Sequence, residues 1–302
     1  MNYQKIKISG WQFEISDDFP AGFHSEIADA LSFKDGQRSS FIKLPSSKYA
    51  NVFKFNIYFK GRIYNLVLKQ YLNRSLLDFF KNLFRPRAYK AFKADQILKQ
   101  YGFSTPHIVA VGKKTFVGIT TKNFLITSQV EDSVPLYKML VPLETTNQKC
   151  LTPINGSNTK DRLSLTGLDT GISQKQQLIK QFGQTVGRMH AAGIFHGDLR
   201  LGNVLVKPVV SLSNPKDDNR FVFIFLDNER TRKFKKLPER LRLKNLVQIS
   251  MSRENISDSD RMHFLDAYLA QQNIRLDGEK LAAQIAAGVE KRLAAKEKIN
   301  HE

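Results

Sequence analysis

The stretch GIFHGDLRLGNVLVK, Gly193–Lys207, changes its hydrophobic period midway, and few folds can accept such a segment. Ahead of it, Leu178, Ile179, Phe182, Val186 and Met189 recur at helical spacing; Ser173 and Gln176 fit a capping box, and Gly193 is placed to end the helix. Beyond it, NVLVK alternates like a strand. A helix that hands over to a strand through His196, Asp198, Arg200 and Asn203 concentrates four polar side chains in one turn pinned between apolar elements. A second strand, RFVFIFLD, follows the polar connection PVVSLSNPKDDN and ends at Asp227, 24 residues after Asn203.

Two strand ends in neighbouring loops thus carry carboxylate and amide groups. That set suits phosphoryl transfer: one carboxylate near an acceptor hydroxyl, a second carboxylate and an amide oxygen as hard ligands for Mg²⁺ on nucleotide phosphates.

The rest of the chain supplies the setting. From Gln37 to Tyr71, RSSFIKL, VFKFNIYF and RIYNLVLKQY read as three strands, the last two joined by a tight KG turn. A helical region follows, broken near Pro86 and stopped by Gly102, and HIVAVGKKTFVGITTKNFLITSQV holds two or three more strands. Strands with one inserted helix define a small first lobe, residues 1–131; a second lobe, 132–302, is mainly helical. Leu143–Gly171 is polar and aperiodic, a long surface loop. SDRMHFLDAYLAQQ is a helix opened by a cap at Ser257 or Asp258, and the final helix keeps Leu281, Ile285, Val289 and Leu293 on one stripe.

A chain of 302 residues, 41% hydrophobic, can bury a substantial core as one bilobed or two ordinary domains. Lys plus Arg is 47 against 28 for Asp plus Glu, a net charge of +19 that favours anionic partners. Cys150 stands alone, so no internal disulfide forms, and no Cys/His cluster has zinc-ligand spacing; a reducing compartment without a structural metal is expected. The N-terminus MNYQKIKISGWQFEIS alternates like a strand pair and lacks a signal peptide's apolar core, and FVFIFL, the longest apolar run, is far too short to span a bilayer. Trp11 reads as packing, and His24, His107, His190, His263 and His301 as structural or exposed.

The order and spacing of these residues resemble the protein-kinase-like superfamily. Its catalytic loop H-R-D-x-x-x-x-N stands here as HGDLRLGN, its D-F-G as DNE and its V-A-I-K strand as LVLK. The resemblance implies a bilobed α+β fold, with an antiparallel-sheet first lobe bearing one helix and a mainly helical second lobe. It implies ATP and Mg²⁺ as cofactors. Asp198 would orient or deprotonate the attacking hydroxyl, Asn203 and Asp227 would hold Mg²⁺, and Lys69 would contact the α and β phosphates. Arg200 would offer a planar charge to the transferring phosphoryl, and His196 would be scaffold for the loop.

The finer resemblance is to the lipopolysaccharide kinase family (Kdo/WaaP), carried by VLKQY, RPRAYKAF, YGFSTPHIVAVG, FGQTVGRMHAAGIFHGDLRLGNVLV, FLDNERTR and SDRMHFLDAYL. It implies an enzyme that phosphorylates a heptose or Kdo sugar of the lipopolysaccharide inner core on lipid A, bound peripherally at the cytoplasmic face of the inner membrane. Neither a nucleic acid nor an obligate protein partner is expected. A kinase for another small-molecule or protein hydroxyl, and a pseudokinase scaffold on an anionic membrane, are the alternatives.

Three departures from the family pattern shape the expectations. The phosphate-covering loop is LPSSKYAN rather than G-x-G-x-x-G, which assigns that work to backbone amides near Ser46, Ser47 and Lys48. Ala91 stands where relatives often have glutamate, which leaves Asp95, one turn later, as the substitute partner for Lys69. DNE lacks the D-F-G glycine, and Leu237–Leu246 already reads as helix, so little room remains for a regulated segment and a constitutively competent kinase is expected.

The charge is concentrated in two places. RTRKFKKLPERLRLK has eight basic residues against Glu239 alone, and Arg230, Arg232 and Lys233 at its start are the expected acceptor contacts. Arg74, Lys81, Arg85, Arg87, Lys90 and Lys93 interleave with Leu76, Leu77, Phe80, Leu83 and Phe84, a pattern that fits a helix in an anionic membrane interface.

Overall fold

Period-two alternation builds the first layer. In β4 (Ala50–Phe59) and β5 (Arg62–Tyr71), Phe53, Phe55, Ile57, Leu66 and Leu68 turn to one side and are buried, and the KG turn places Lys60 and Gly61 at positive φ between them. The structure is a computed structural model that describes residues 2–8, 10–32, 41–72, 86–116, 119–140, 174–209, 220–252 and 256–300. The capping box at Ser173, the Leu143–Gly171 loop with Cys150, the basic and apolar run from Arg74 to Arg85, and His301 lie outside these residues.

Five further strands complete the sheet: β1 (Tyr3–Ile8), β2 (Trp11–Ser16), β3 (Ile42–Leu44), β6 (Ile108–Phe116) and β7 (Ile119–Ser128). The order is β1-β2-β6-β7-β5-β4-β3, antiparallel at every pairing. The N-terminal pair does not stand apart as its own hairpin; β2 pairs with β6 along Trp11–Ile15. One face packs with α1 (Phe23–Leu31) into a core of Trp11, Phe13, Phe23, Ile27, Phe53, Phe55, Leu66, Leu68, Phe124 and Ile126. Trp11 meets Phe124 edge to face at 5.4 Å, so it is packing, as expected.

The opposite face carries α2 (Arg87–Gln100), which starts directly after Pro86, where proline's missing N–H costs nothing. Asn123 of β7 accepts from the Ala88 N–H, capping the helix from the sheet. Ala88 and Phe92 pack with Tyr71, Ile108 and Val111 beneath it.

A second core gathers the remaining elements: α3 (Leu136–Met139), α4 (Gln174–Ala191), β10 (Val204–Val209), β11 (Arg220–Phe225), α5 (Glu239–Ser250), α6 (Asp258–Leu269) and α7 (Gly278–Asn300). The stripe Leu178, Ile179, Phe182, Val186 and Met189 is buried there, with Tyr268 and Leu281 from the last two helices. The cap of α6 is Ser257, in a reciprocal capping box with Asp260. β8 (Val134–Pro135) pairs with β10 to complete a three-stranded sheet, and β9 (Ile194–Phe195) pairs with β12 (Arg232–Lys233). The loop after α2 ties the two layers together, because Ser104 bridges to Ile224 and its carbonyl accepts the Phe225 N–H at 2.9 Å. The architecture is α+β and kinase-like, as the sequence implies.

Candidate active site

Register determines what faces the space between the layers. Lys69 of β5 lies opposite Val52 of β4 and Leu125 of β7, and the next row toward β5's start holds Lys54, Val67 and Thr127. Alternation sends both rows away from the Phe53 and Leu66 core. With Ile108, Leu205 and Leu226 they line a cleft of about 450 Å³ that also takes in Ala91, Asp95, Asp227 and Asn228. Its walls are apolar and its polar groups few, the usual make-up of a small-molecule site.

At the cleft's floor the β10–β11 ladder sets Val204 opposite Phe225, and the Leu226 N–H donates to the Asn203 carbonyl at 2.9 Å. Asn203 is therefore beside the strand end that carries Asp227. Asp227 adopts the left-handed conformation, φ 57 and ψ 45, which a short polar side chain tolerates better than most. The Asn203 amide donates to the Asp198 carbonyl oxygen at 2.9 Å and to Asp198 Oδ2 at 3.1 Å. Its Oδ1 receives no donor from the described residues. Asp198 Oδ1 accepts from Arg200 Nε at 2.8 Å, and the Arg200 side chain is otherwise exposed.

The turn holding Asp198 is anchored from α5. Gln248 Oε1 accepts the Leu199 N–H at 3.2 Å, while Gln248 Nε2 donates to the Gly197 carbonyl at 3.2 Å. Asn245 Oδ1 accepts the His196 N–H, its Nδ2 donates to Gln248 Oε1, and His190 joins Asn245 to Tyr268. All of these side chains are buried. Gly197, at φ +86, allows a close approach: a Cβ there would lie 2.5 Å from Arg230 Cβ and 2.7 Å from the Arg230 carbonyl. Gly193 ends α4 at φ +74, with Phe234 packed against it.

Electrostatics follow burial. His190 is pushed down to about 4 by burial, against the Asn245 hydrogen bond and with the Arg242 charge adding to the effect. His196 is lowered by burial, opposed by Asn228 and by the carboxylates of both Asp198 and Asp227, which act on the same ring. Burial thus favours the neutral ring. Burial would lower Lys69, but Tyr71, Asp227 and Glu229 outweigh it and hold the ammonium charged well above the ordinary lysine range.

Lys69 brings a correction. The expected Asp95 partner is not made: Asp95 is buried and spends its carboxylate on the Thr105 hydroxyl and on Lys99 Nζ, at 3.0 Å from the latter. Lys69 Nζ instead lies 2.7 Å from Asp227 Oδ1 and 3.1 Å from Glu229 Oε2. The reason is steric and electrostatic together. α2 packs closely on the Asn228–Arg230 turn, with the small Ala91 on its cleft side, and the third residue of DNE supplies the acid that the helix lacks.

The remaining expected residues fall as follows. Ser46 and Ser47 lie in the exposed connection from β3 to β4, and Ser47 Oγ accepts the Tyr49 N–H at 3.4 Å; the cleft is lined by Leu44 and Val52 on either side of them. Arg230 and Arg232 are exposed, with Arg232 paired through its backbone to Phe195, one residue before His196. Lys233 is turned away: its Nζ donates to the Phe234 carbonyl at 2.7 Å and sits over the Tyr101 ring. Sequence reading missed Glu229, Asn245 and Gln248. The signals were an acid in place of the D-F-G glycine and two amides at i, i+3 in an otherwise apolar and basic helix.

Residues 164–268 match the model of the Lipopolysaccharide kinase (Kdo/WaaP) family. Over 47 residues, 16% of this chain, it is 40% identical to the EKC/KEOPS complex subunit BUD32 of Gibberella zeae, and the matched segment spans 17% of that relative's length. Among solved structures, WaaP in complex with acyl carrier protein is similar at a TM-score of 0.53 and 18% identity, over 82% of this chain and 87% of that one. The Rio2 kinase–ADP/Mg²⁺–phosphoaspartate complex of Chaetomium thermophilum aligns at a TM-score of 0.42 and 15% identity, over 97% and 82%. The likeness to WaaP shows the protein-kinase-like fold. The residues matched by the lipopolysaccharide kinase (Kdo/WaaP) family model hold the whole turn from His196 to Asn203 and Asp227, so this chain is similar to that family through its candidate site.

Proposed function

We propose that this protein is an ATP- and Mg²⁺-dependent kinase that phosphorylates a heptose or Kdo hydroxyl of the lipopolysaccharide inner core. The carrying observation is that Lys69 and Asp227 meet in one cleft, with Asn203 held beside that strand end by the Leu226 N–H and Asp198 hydrogen-bonded to Asn203. The donor set fits the metal: the Asp227 carboxylate and the Asn203 Oδ1 that no described donor occupies are hard oxygens, and Mg²⁺ is commonly held by one or two such groups plus phosphate oxygens. When bound, it would supply neutralisation of charge on the transferred phosphoryl.

In this reading residues 1–131 cover the nucleotide and 132–302 carry the acceptor. The rows Leu44, Val52, Leu125 and Val67, Thr127 face Leu205 and Leu226 across a gap suited to a planar base. Lys69 holds the α and β phosphates. Asp198 takes the proton of the acceptor hydroxyl as its oxygen bonds to the γ phosphorus and the bond to the β-phosphate oxygen breaks. Arg200 leaves Asp198 for the equatorial phosphoryl oxygens, and the exposed Arg230 and Arg232, beside the catalytic turn, meet the acceptor's own anionic groups. The basic faces hold the protein peripherally to the cytoplasmic side of an anionic inner membrane. No described helix is long and apolar enough to cross a membrane.

The test is transfer from ATP to lipid-linked acceptors. Asp198→Asn is expected to abolish transfer while Mg²⁺-dependent thermal stabilisation by an ATP analogue persists. Phosphorylation of a soluble sugar, an aminoglycoside or a protein, with no turnover on heptosylated or Kdo-bearing lipid A, refutes the acceptor. Absence of nucleotide-dependent stabilisation refutes the kinase reading in favour of a scaffold.

A further inference from the structure

The basic run after Asp227 does not all face solvent. Arg242, on the first turns of α5, is only 6% exposed, and its Nε is sealed from solvent without a hydrogen-bond partner. Its guanidinium makes no hydrogen bond or ion pair with any described residue. Isolated charges are rarely left this way, because desolvation of a guanidinium is costly unless a counter-charge sits beside it. The positive field is felt nearby: it lowers His190 and opposes the rise that burial causes in Tyr268.

Arg242 lines a separate cavity of about 510 Å³ between the start of α5 and the α6–α7 connection. Lys236, Arg275 and Lys280 stand around the same cavity, also without an ion pair to any described residue. Two acids share the lining. Glu239 pairs with none of these cations, and Asp277 uses Oδ1 to accept the Lys280 backbone N–H at 3.0 Å, at the start of α7. Four cations against two acids, with the Nε of one guanidinium already sealed from water, make a site poised for an oxyanion. The planar fork of Arg suits phosphate in particular, since it can meet two oxygens at once. No residue of this cavity lines the Lys69 cleft.

We propose that this cavity is a phosphate-binding site, for phosphate free or carried on a sugar, with Arg242 as its buried anchor and Lys236, Arg275 and Lys280 as its rim. The volume exceeds what a single inorganic ion needs and leaves room for a saccharide ring. The site stands independently of the reading of the cleft. It backs onto the catalytic turn, because Arg242 is three residues before Asn245 on the helix that holds the His196 N–H.

The experiment follows the melting temperature of the full chain with sodium phosphate, with glucose 6-phosphate and with sodium chloride at matched ionic strength. A saturable rise specific to the phosphate compounds is expected, retained in Lys69→Met, which blinds the cleft. Arg242→Met should lose phosphate affinity by about 10- to 100-fold, and Arg275→Ala with Lys280→Ala by about tenfold. Tighter binding of glucose 6-phosphate than of inorganic phosphate assigns a carried phosphate; the reverse assigns the free ion. An equal response to chloride, no response at all, an unchanged rise in Arg242→Met, or a rise lost in Lys69→Met overturns the site. If Arg242→Met does not fold, the rim variant decides, and unchanged affinity there overturns it.

Discussion

Glu229, rather than Asp95, is the acid that joins Asp227 on Lys69, and replacing it separates the two assignments. The Lys69 and Glu229 side chains are 16% and 22% exposed and their charged atoms are 3.1 Å apart. At an effective dielectric of about 20, that separation corresponds to about 5 kcal/mol of attraction before desolvation is subtracted. Desolvation of both groups, and the second carboxylate at 2.7 Å that remains when Glu229 is lost, reduce the net effect to about 1.5–3 kcal/mol. That converts to about a 10- to 100-fold fall in kcat/KM for ATP in Glu229→Ala. With Glu229 gone the ammonium rests on Asp227 alone, so the Mg²⁺ concentration for half-maximal rate should also rise. Glu229→Gln keeps an acceptor and should lose less. Asp95→Asn, by contrast, should lower the melting temperature through its Thr105 and Lys99 contacts while leaving kcat/KM near wild type. Steady-state kinetics with ATP and Mg²⁺ varied independently decides it. A Glu229→Ala enzyme within twofold of wild type, alongside a tenfold loss in Asp95→Asn, refutes the argument.

Gln248→Leu removes the partners of the Leu199 N–H and the Gly197 carbonyl in a buried network and should cost about 2–4 kcal/mol in chemical denaturation, with kcat falling further than binding of an ATP analogue. Gly197→Ala combines a positive φ with a Cβ that meets the Arg230 backbone, so it should be inactive and destabilised by about 2 kcal/mol or more, whereas Gly61→Ala, where the added carbon meets nothing, should cost about 1 kcal/mol. His190 titrates near 4 when folded and near 6.5 when unfolded, so below pH 6.5 the unfolded chain takes up a proton that the buried ring does not. Stability is therefore full above about pH 6.5 and falls toward pH 4 by at most about 1.4 kcal/mol per pH unit from this ring, and His190→Leu should flatten that slope in urea titrations across the window.

Much of the architecture was legible because local signals agreed with the tertiary ones. RIYNLVLKQY became β5 at its expected bounds, Gly193 ended α4, and Ser257 capped α6. The pairing of β10 with β11 was legible too, since two short apolar strands joined by a polar connection have one favourable way to pair. What failed needed three dimensions. The helix periodicity put Asp95 on the same face as Ala91, but nothing in spacing reveals that Thr105, ten residues on, returns to claim it. Arg242 reads in sequence as one more cation of a solvated run, and only the packing of α5 against α7 shows it buried. Asn245 and Gln248 look like surface amides until the His196–Leu199 turn is laid against them.

The pairing of β2 with β6 also bears on how the molecule avoids its own kind. Without residues 3–16, the Lys114 to Ala110 backbone would present a bare row of amides and carbonyls, and Phe13 would no longer cover Phe124. Such an edge invites a strand from another molecule, so a chain shortened there should form sheet-mediated oligomers, with its cleft residues all present in sequence but its first layer shared among neighbours.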